Sequence, residues 1–375
     1  MNFDFSDEQK MLREQAQRFL AARCPRNLVR QAMESEAGFD RGLWQAIAEQ
    51  GWMGTAIPER HGGLGLGYLE LCVIAQELGR AVAPIPFSSS VYLFAEALML
   101  AGSEQQKARL LPELAAGRIV GTFACSEGPG PVTPRTIRAV LKAGALSGAK
   151  TAVADGMDAK FAIVLARTSD EAGEGGLTLA LVPLEAPGIT RHKQESLDPS
   201  RRHAQILFDE APAEPLGAVG EGWALHARLL DRAAVLFAFE QLGGADAALD
   251  MAKDYALHRY AFGRPIGSYQ AIKHKLAEMY VNNELARSNA YFAAWALAAN
   301  AGDLPLAAAA ARISATQAFD YAAKENLQTH GGIGFTWEMD CHLFYKRSRE
   351  LGLVLGSQRS WKEKLVGQLE RANAA

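Results

Sequence analysis

The apolar positions divide the chain into a helical, a strand-rich and a second helical region. In residues 1–117 they recur at helical spacing, as Leu12 and Phe19 do. In residues 118–220 they form short runs separated by Pro, Gly and Asp, which is typical of strands. Long helical patterns return over residues 221–375. This order predicts an α+β fold with an N-terminal helical domain, a central β-barrel or sandwich domain and a C-terminal four-helix-bundle domain.

Local signals place the elements within these regions. Ser6 opens a capping box with Gln9, and residues 173–176 resemble the tip of a hairpin. The further N-terminal helices are expected at 43–51, 68–81, 91–101 and 104–116. The strands are expected at 119–125, 161–167, 177–182 and 204–209. The C-terminal helices are expected at 223–260, 270–300, 305–329, 337–351 and 358–372.

The composition and charge of the chain argue against several classes of function. Of the 375 residues, 49% are hydrophobic and 22% charged, as in ordinary globular proteins. The formal net charge of −3 gives no electrostatic basis for binding nucleic acid or an anionic membrane. The four cysteines lack metal-ligand spacing, and we find neither a secretion signal nor a run of about 20 apolar residues. We expect a cytoplasmic protein with reduced thiols, no metal site and no membrane insertion.

One carboxylate falls on an apolar helical face. The helix expected from Trp223 is apolar all round in its middle. One face of it runs through Ala233 and Leu236, and the next member of that face is Glu240. A carboxylate in such surroundings is either paired or has a raised pKa, so Glu240 is a candidate general base. The alternative is a structural glutamate that is hydrogen-bonded to the backbone or to a neighbouring helix.

Two further segments have the residue types that bind a phosphate together with a flat ring. At a turn between two expected helices, Arg259 and Gln270 flank Phe262. After Gln328, three glycines interrupt a long helical pattern, so an anion could approach main-chain N–H groups there. The alternatives are solvated surface arginines in the first segment and an ordinary glycine helix cap in the second.

These segments carry a family resemblance. The pattern Arg-x-x-Phe-Gly-x-Pro-Ile-x-x-x-Gln at 259–270, followed by Leu-Ala-Glu-Met at 276–279, resembles the acyl-CoA dehydrogenase flavoprotein family. So do Gln-x-x-Gly-Gly-x-Gly at 328–334, Ile-Pro-Glu-x-x-Gly-Gly-x-Gly at 57–65 and Gly-x-Lys-Thr at 148–151. The chain length and the order of the regions also match, so the resemblance covers essentially the whole chain.

The resemblance implies an FAD-dependent oxidoreductase of fatty acid or lipid catabolism that converts an acyl-CoA to the 2,3-enoyl-CoA. A carboxylate would remove the α-proton while a hydride passes from the β-carbon to the flavin. Electrons would go on to an electron-transferring flavoprotein, and the assembly would be a homodimer or homotetramer. Asp231 and Ala233 would contact the substrate. The residues expected to contact FAD, some of them in a neighbouring subunit, are Ser126, Arg259, Phe262, Gln270, Gln328, Gly331, Gly332 and Gly334.

The sequence departs from the family pattern at the base and beside the flavin. The family places its base glutamate either after the last catalytic helix, where this chain has Leu355, or early in the first long C-terminal helix, where it has Ala233. Glu240 lies two turns beyond Ala233 on the same face and is predicted to be the substitute base. Ala152 and Ala154 replace a ring and a hydroxyl of the family pattern.

Two alternatives to a self-sufficient dehydrogenase follow from these departures. The chain could be a degenerate, non-catalytic subunit of a hetero-oligomer with a homologous chain. It could also be a flavin oxidase or monooxygenase on the same fold, in which no buried base is needed. Anaerobic flavin bleaching by acyl-CoA and oxidation of the flavin by O2 distinguish the three.

Overall fold

Helices flank a central sheet along the chain, which confirms the predicted α+β fold. The computed structural model describes residues 5–36, 38–169, 171 and 173–374, without the side chains of 372–374. The described residues belong to two units. The helical unit comprises Met1–Val29, Tyr68–Ala83 and Ala234–Ala375, and the sheet unit comprises Arg30–Gly67 and Pro84–Ala233. The three domains divided near residues 117 and 220 stay a prediction.

The described residues form eleven α-helices. The predicted helix over 68–81 coincides with the fourth of them, and the C-terminal helices begin and end within a few residues of their predicted bounds. The helices are α1 (Asp7–Arg23), α2 (Arg26–Glu34), α3 (Arg41–Glu49), α4 (Tyr68–Ala81), α5 (Glu96–Ala101), α6 (Glu104–Ala115), α7 (Gly222–His258), α8 (Gln270–Ala298), α9 (Leu304–His330), α10 (Cys341–Leu353) and α11 (Gln358–Ala374).

Local chemistry explains where the first helix begins. The Ser6 hydroxyl accepts from the Gln9 N–H at 3.3 Å, and the Gln9 side chain accepts from the Ser6 N–H at 2.9 Å. The predicted capping box is therefore confirmed. The short helix α2 was not predicted, because its nine residues offer too few turns for a clear periodicity.

Two glycines set the crossing of α4 and α7 in the helical unit. A Cβ added to Gly79 of α4 would lie 1.8 Å from the carbonyl oxygen of Glu240. A Cβ added to Gly243 of α7 would lie 1.7 Å from the carbonyl oxygen of Gln76. Any larger residue would separate the two helices, so these glycines fix the position of the α7 turn that carries Glu240.

The sheet contains eight strands in the order β6-β7-β3-β2-β4-β5-β8, with β1 pairing to β4. Its pairs are antiparallel except β1–β4 and β2–β4. Strands β4 and β5 pair in antiparallel fashion, as predicted for a hairpin, and a short 3-10 helix at Glu174–Gly176 leads into β5. The strands are β1 (Gly121–Ala124), β2 (Val140–Lys142), β3 (Ala145–Ala154), β4 (Phe161–Arg167), β5 (Leu177–Pro183), β6 (Ile189–Gln194), β7 (His203–Pro212) and β8 (Glu214–Leu216). A two-residue hairpin, β9 (Tyr260–Ala261) and β10 (Arg264–Pro265), lies in the helical unit.

The structure corrects several local expectations. The helix predicted from residue 91 is preceded and partly replaced by a buried π-helix at Ser88–Ala95. Four strands, β2, β3, β6 and β8, have no counterpart in the prediction, because they are short or carry few branched apolar residues. None of the described helices is long and apolar enough to cross a membrane.

Candidate functional site

Glu240 is buried on α7 and faces an arginine. Its carboxylate Oε1 lies 3.7 Å from Nη1 of Arg347 on α10. Arg347 is 1% exposed, and its guanidinium also donates to the Ala83 carbonyl at 3.4 Å. A buried carboxylate and a buried guanidinium at this distance compensate each other, because neither can recover its hydration inside the protein.

A second arginine extends this buried network. Arg312 of α9 donates to Oε1 of Gln241 at 2.8 Å and to the carbonyl oxygen of Leu351. Burial lowers the pKa of Arg312 to about 10, although the Glu350 and Glu240 carboxylates oppose this change. Two acidic and two basic side chains thus share the interior of the helical unit. Such an arrangement is expected if Glu240 is a structural glutamate that pairs with a neighbouring helix.

The predicted cofactor residue Phe262 lies at the tip of the β9–β10 hairpin. Phe262 and Gly263 form the two-residue loop, and both have positive φ values, +52° and +79°. Such turns favour Asn-Gly, because a bulky residue at positive φ is strained by about 1–3 kcal/mol. The phenyl ring is 96% exposed. Backbone strain that holds a large apolar ring in solvent indicates a binding surface.

The base of this hairpin is fixed. The Tyr269 hydroxyl donates to the Ala261 carbonyl at 3.0 Å, and the Arg264 guanidinium lies 4.0 Å from the centre of the Tyr269 ring. Arg259 and Gln270 on either side are exposed. Gln270 is the first residue of α8, and Tyr269 before it provides no side-chain cap. The Ile272 N–H donates to the Tyr269 carbonyl at 3.1 Å, so the first-turn N–H groups left for an anion are those of Gln270 and Ala271.

The glycines after Gln328 have different roles. Gly331 is the C-cap of α9 with φ +64°, so the helix-cap interpretation is confirmed. A Cβ added to Gly331 or Gly332 would meet no atom within 4 Å. A Cβ added to Gly334 would lie 2.6 Å from the Leu327 carbonyl oxygen. Gly334 is therefore required for packing, whereas Gly331 and Gly332 leave open space beside the exposed Gln328.

An aromatic contact brings the two predicted cofactor segments of the helical unit together. The His330 ring stacks on Tyr255 of α7 with a centroid distance of 4.1 Å. The Tyr255 carbonyl accepts from the Arg259 N–H at 2.8 Å. Burial lowers the pKa of His330, whose Nδ1 lies 2.9 Å from the Asn326 carbonyl, so the ring is neutral at pH 7. The end of α7 and the end of α9 therefore form one surface.

The sheet unit holds the predicted residues Ser126, Asp231 and Ala233. Ser126 follows β1, and its carbonyl accepts from the Thr151 N–H at 2.9 Å. Its hydroxyl donates to the Gly128 carbonyl at 3.2 Å. Asp231 and Ala233 are buried on α7.

A buried ion pair fixes the segment that carries Ser126. Lys150 of β3 donates to Oε1 of Glu127 at 2.6 Å and to the Cys125 carbonyl at 3.2 Å. Burial lowers the pKa of Lys150, and the Glu127 carboxylate opposes this change. Glu127 also accepts from the N–H groups of Arg138 and Ala139. The Lys-Thr motif indicated Lys150, but the sequence did not indicate that Lys150 pairs with Glu127, which lies 23 positions away.

The described residues fit a flavin dinucleotide. An exposed ring, an exposed arginine, an uncapped helix start and open space at two glycines suit a flat heterocycle joined to a pyrophosphate. In the sheet unit, Ala152 of β3 is exposed next to Thr151, whose N–H donates to the Ser126 carbonyl. Fold and site together define the class of flavin-dependent oxidoreductases with a helix–sheet–helix order.

Comparison with known proteins makes the class specific, and the chain belongs to the acyl-CoA dehydrogenase family. The model of the acyl-CoA dehydrogenase N-terminal domain matches residues 6–118, and that of the C-terminal domain matches residues 220–361. The family consists of FAD-dependent oxidoreductases that act on acyl-CoA. The predicted family, enzyme class and cofactor are therefore confirmed.

Three individual proteins show how far the similarity extends. Acyl-CoA dehydrogenase IpdE2 of Mycobacterium tuberculosis is 35% identical over 364 residues, covering 97% of this chain and 98% of that protein. Butyryl-CoA dehydrogenase of Megasphaera elsdenii superposes with a TM-score of 0.91 at 25% identity, over 98% of this chain and 100% of the other. A chain of the ChsE4-ChsE5 complex of Mycobacterium tuberculosis superposes with a TM-score of 0.89 at 25% identity, over 99% of each chain.

Proposed function

We propose that this chain is an FAD-holding subunit of an acyl-CoA dehydrogenase, which works with a homologous chain that supplies the catalytic base. The reaction is the oxidation of an acyl-CoA thioester to its 2,3-enoyl-CoA. The observation that carries the proposal is the burial of Glu240 against Arg347, together with Ala233 and Leu355 at the positions where the family has its glutamate.

The charges around Glu240 support the proposal that another chain supplies the base. A general base has to reach the proton that it removes, and its conjugate acid must not be much less stable than its ionised form. The carboxylate of Glu240 is 4% exposed, and the positive charges of Arg347 and Arg312 favour its ionised form. Substrate contact and proton uptake are both disfavoured at such a position.

The helical unit carries the features proposed to hold the cofactor. Arg259 and Gln270 would bind phosphate and polar groups, Phe262 would cover a ring, and the open space beside Gly331 and Gly332 would admit the pyrophosphate. When bound, FAD supplies the acceptor for the hydride that leaves the β-carbon. The two electrons would then pass to an electron-transferring flavoprotein.

The neighbours support a two-chain assembly. One similar structure is described as a complex of two different chains, ChsE4 and ChsE5. We propose a corresponding hetero-oligomer here, in place of the homodimer or homotetramer that the resemblance implies. The described cysteines form no disulfide, in keeping with the proposed cytoplasmic location.

The second candidate function is a self-sufficient dehydrogenase with Glu240 as its base. The apolar surroundings of the middle of α7 favour it, because desolvation makes a carboxylate more basic. A matched pair of variants separates the two candidates. Glu350 belongs to the same buried network and carries the same charge, but it lies on α10 and has no proposed part in proton transfer.

The experiment measures anaerobic bleaching of the flavin by acyl-CoA in the two-chain assembly that contains Glu240→Gln or Glu350→Gln. If Glu240 only balances the buried arginines, Glu240→Gln should behave like Glu350→Gln. Both variants should have lower thermal stability and a bleaching rate within about tenfold of the wild type. If Glu240 is the base, Glu240→Gln should lower the bleaching rate about 10²-fold or more, and Glu350→Gln should cause no such loss. Peroxide release on admission of O2 would instead indicate an oxidase.

A further inference from the structure

The sheet unit contains an irregular stretch of strand whose hydrogen bonds come from outside the ladder. Strand β3 changes register between Lys150 and Val153, which leaves Thr151 and Ala152 as a bulge facing β7. Ala152 has φ +52°, a strained value for a residue with a side chain, and it is exposed. A bulge of this kind sets the local bend and twist of the strand.

A single side chain from β6 holds this bulge. The Gln194 carboxamide oxygen accepts from the Ala152 N–H at 2.7 Å and lies 3.1 Å from the Thr151 hydroxyl. The Gln194 amide nitrogen lies 2.9 Å from the same hydroxyl. On the other side, the Thr151 N–H donates to the Ser126 carbonyl at 2.9 Å. The bulge is therefore held from both directions.

Gln194 is itself fixed at the end of its strand. It is the last residue of β6 and pairs with His203, the first residue of β7. The connection between the two strands is tied to the residue after β3 by Arg201, whose guanidinium donates to the Asp155 carboxylate at 2.8 Å in a buried ion pair. A side chain placed on such a rigid turn can impose a conformation on the bulge.

We propose that Gln194 is a positioning residue for the flavin, which acts by fixing the Thr151–Ala152 bulge. The inference rests on the proposed function, because the family resemblance is what places the flavin beside this bulge. Ala152 has only a methyl group where the family pattern has a ring, so stacking cannot position the cofactor here. The main chain of the bulge, held in one conformation by Gln194, takes that role.

Two substitutions separate the hydrogen-bonding role of Gln194 from its size. Gln194→Glu keeps a carboxyl oxygen for the Ala152 N–H and for the Thr151 hydroxyl. Gln194→Met keeps the length of the side chain but removes both acceptors and donors. Lys193→Met is the matched control, because Lys193 is the preceding, exposed residue of β6.

The readouts are hydrogen exchange at the Ala152 amide and the FAD content of the purified assembly after dialysis. In Gln194→Met we expect the amide to exchange about fivefold faster or more, the factor that corresponds to one lost hydrogen bond. FAD retention should fall several-fold in that variant. Gln194→Glu and Lys193→Met should match the wild type in both measurements.

Each contrary outcome has its own meaning. Unchanged exchange at Ala152 in Gln194→Met would show that Gln194 does not hold the bulge. Faster exchange with unchanged FAD retention would show that the bulge does not position the cofactor, and would leave the proposed function intact. A wild-type assembly that contains no FAD would overturn the proposed function and this inference together.

Discussion

Two regions of the helical unit handle charge and apolar surface in opposite ways. In the interior, Glu240, Arg347 and Arg312 are buried and face one another or main-chain carbonyls. At the end of α7, Arg259 is exposed and Phe262 projects into solvent from a strained turn. In the interior, the charged side chains link helices to one another, whereas at the surface the polar and aromatic groups are exposed to solvent. On the proposed function, the exposed residues hold the cofactor and the buried glutamate stabilises the fold.

The strongest test of the interior region removes one cation. Arg347→Met leaves Glu240 in the interior without this partner, and we expect the free energy of unfolding to fall by about 3–5 kcal/mol. Chemical denaturation measures the loss. The control is Arg349→Met on the same helix, since Arg349 is 38% exposed and its ion pair with Asp320 should be worth about 1 kcal/mol or less.

The double variant Glu240→Gln with Arg347→Met sharpens this test. If the two side chains compensate each other, the double variant should lose clearly less stability than the sum of the single variants. Additive losses would mean that Glu240 and Arg347 do not interact, and the account of the interior region would fail.

The surface region predicts a trade between stability and cofactor binding. Phe262→Asn places a residue that tolerates positive φ at the hairpin tip, so we expect the chain to become more stable by about 1 kcal/mol. The same change removes the exposed ring, and FAD retention should fall several-fold. Phe262→Tyr keeps both ring and strain and should behave as the wild type. Undiminished FAD retention in Phe262→Asn would speak against a cofactor surface.

The smallest expected effect concerns a third buried carboxylate, Glu77 on α4. It is 1% exposed, and Arg80 Nε lies 3.5 Å from its Oε2. Burial raises the pKa of Glu77 above its usual 4.5, and Arg80 opposes this change. The folded state therefore binds the proton more tightly than the unfolded state does.

The contribution of Glu77 to the stability of the protein decreases as the pH rises. The stabilisation from Glu77 is fully present below pH 4.5 and is lost as the pH rises through the folded-state pKa. Glu77→Gln has no such titration, so its stability relative to the wild type should increase between pH 4.5 and neutral pH. Denaturation curves at both ends of this range measure the difference. A difference in stability that stays constant with pH would mean that the pKa of Glu77 is not raised by folding.

Long amphipathic stretches made the architecture predictable, because periodicity over many turns leaves little ambiguity. The helix over 68–81 and the hairpin between β4 and β5 were placed correctly from the sequence. Strand β3 was missed, since its residues Gly148, Ala149, Ala152 and Ala154 are weak strand formers and its bulge breaks the alternation.

The site was predictable as motifs but not as contacts. Phe262-Gly263 could be recognised as part of a family pattern, but its positive φ values could not. The approach of Arg347 to Glu240 brings together residues more than a hundred positions apart, which no local pattern encodes. Gln194 gave no signal at all, because a glutamine at a strand end is common and its role depends on the bulge of another strand.

Anaerobic titration of the flavin with acyl-CoA tests the central claim most directly. The chain would be purified alone and after co-expression with a homologous chain that has a glutamate at the family's base position. We predict that the visible flavin band bleaches in the two-chain assembly, whereas the single chain binds FAD that stays unbleached. Full bleaching of the single chain at the rate of the assembly would contradict it.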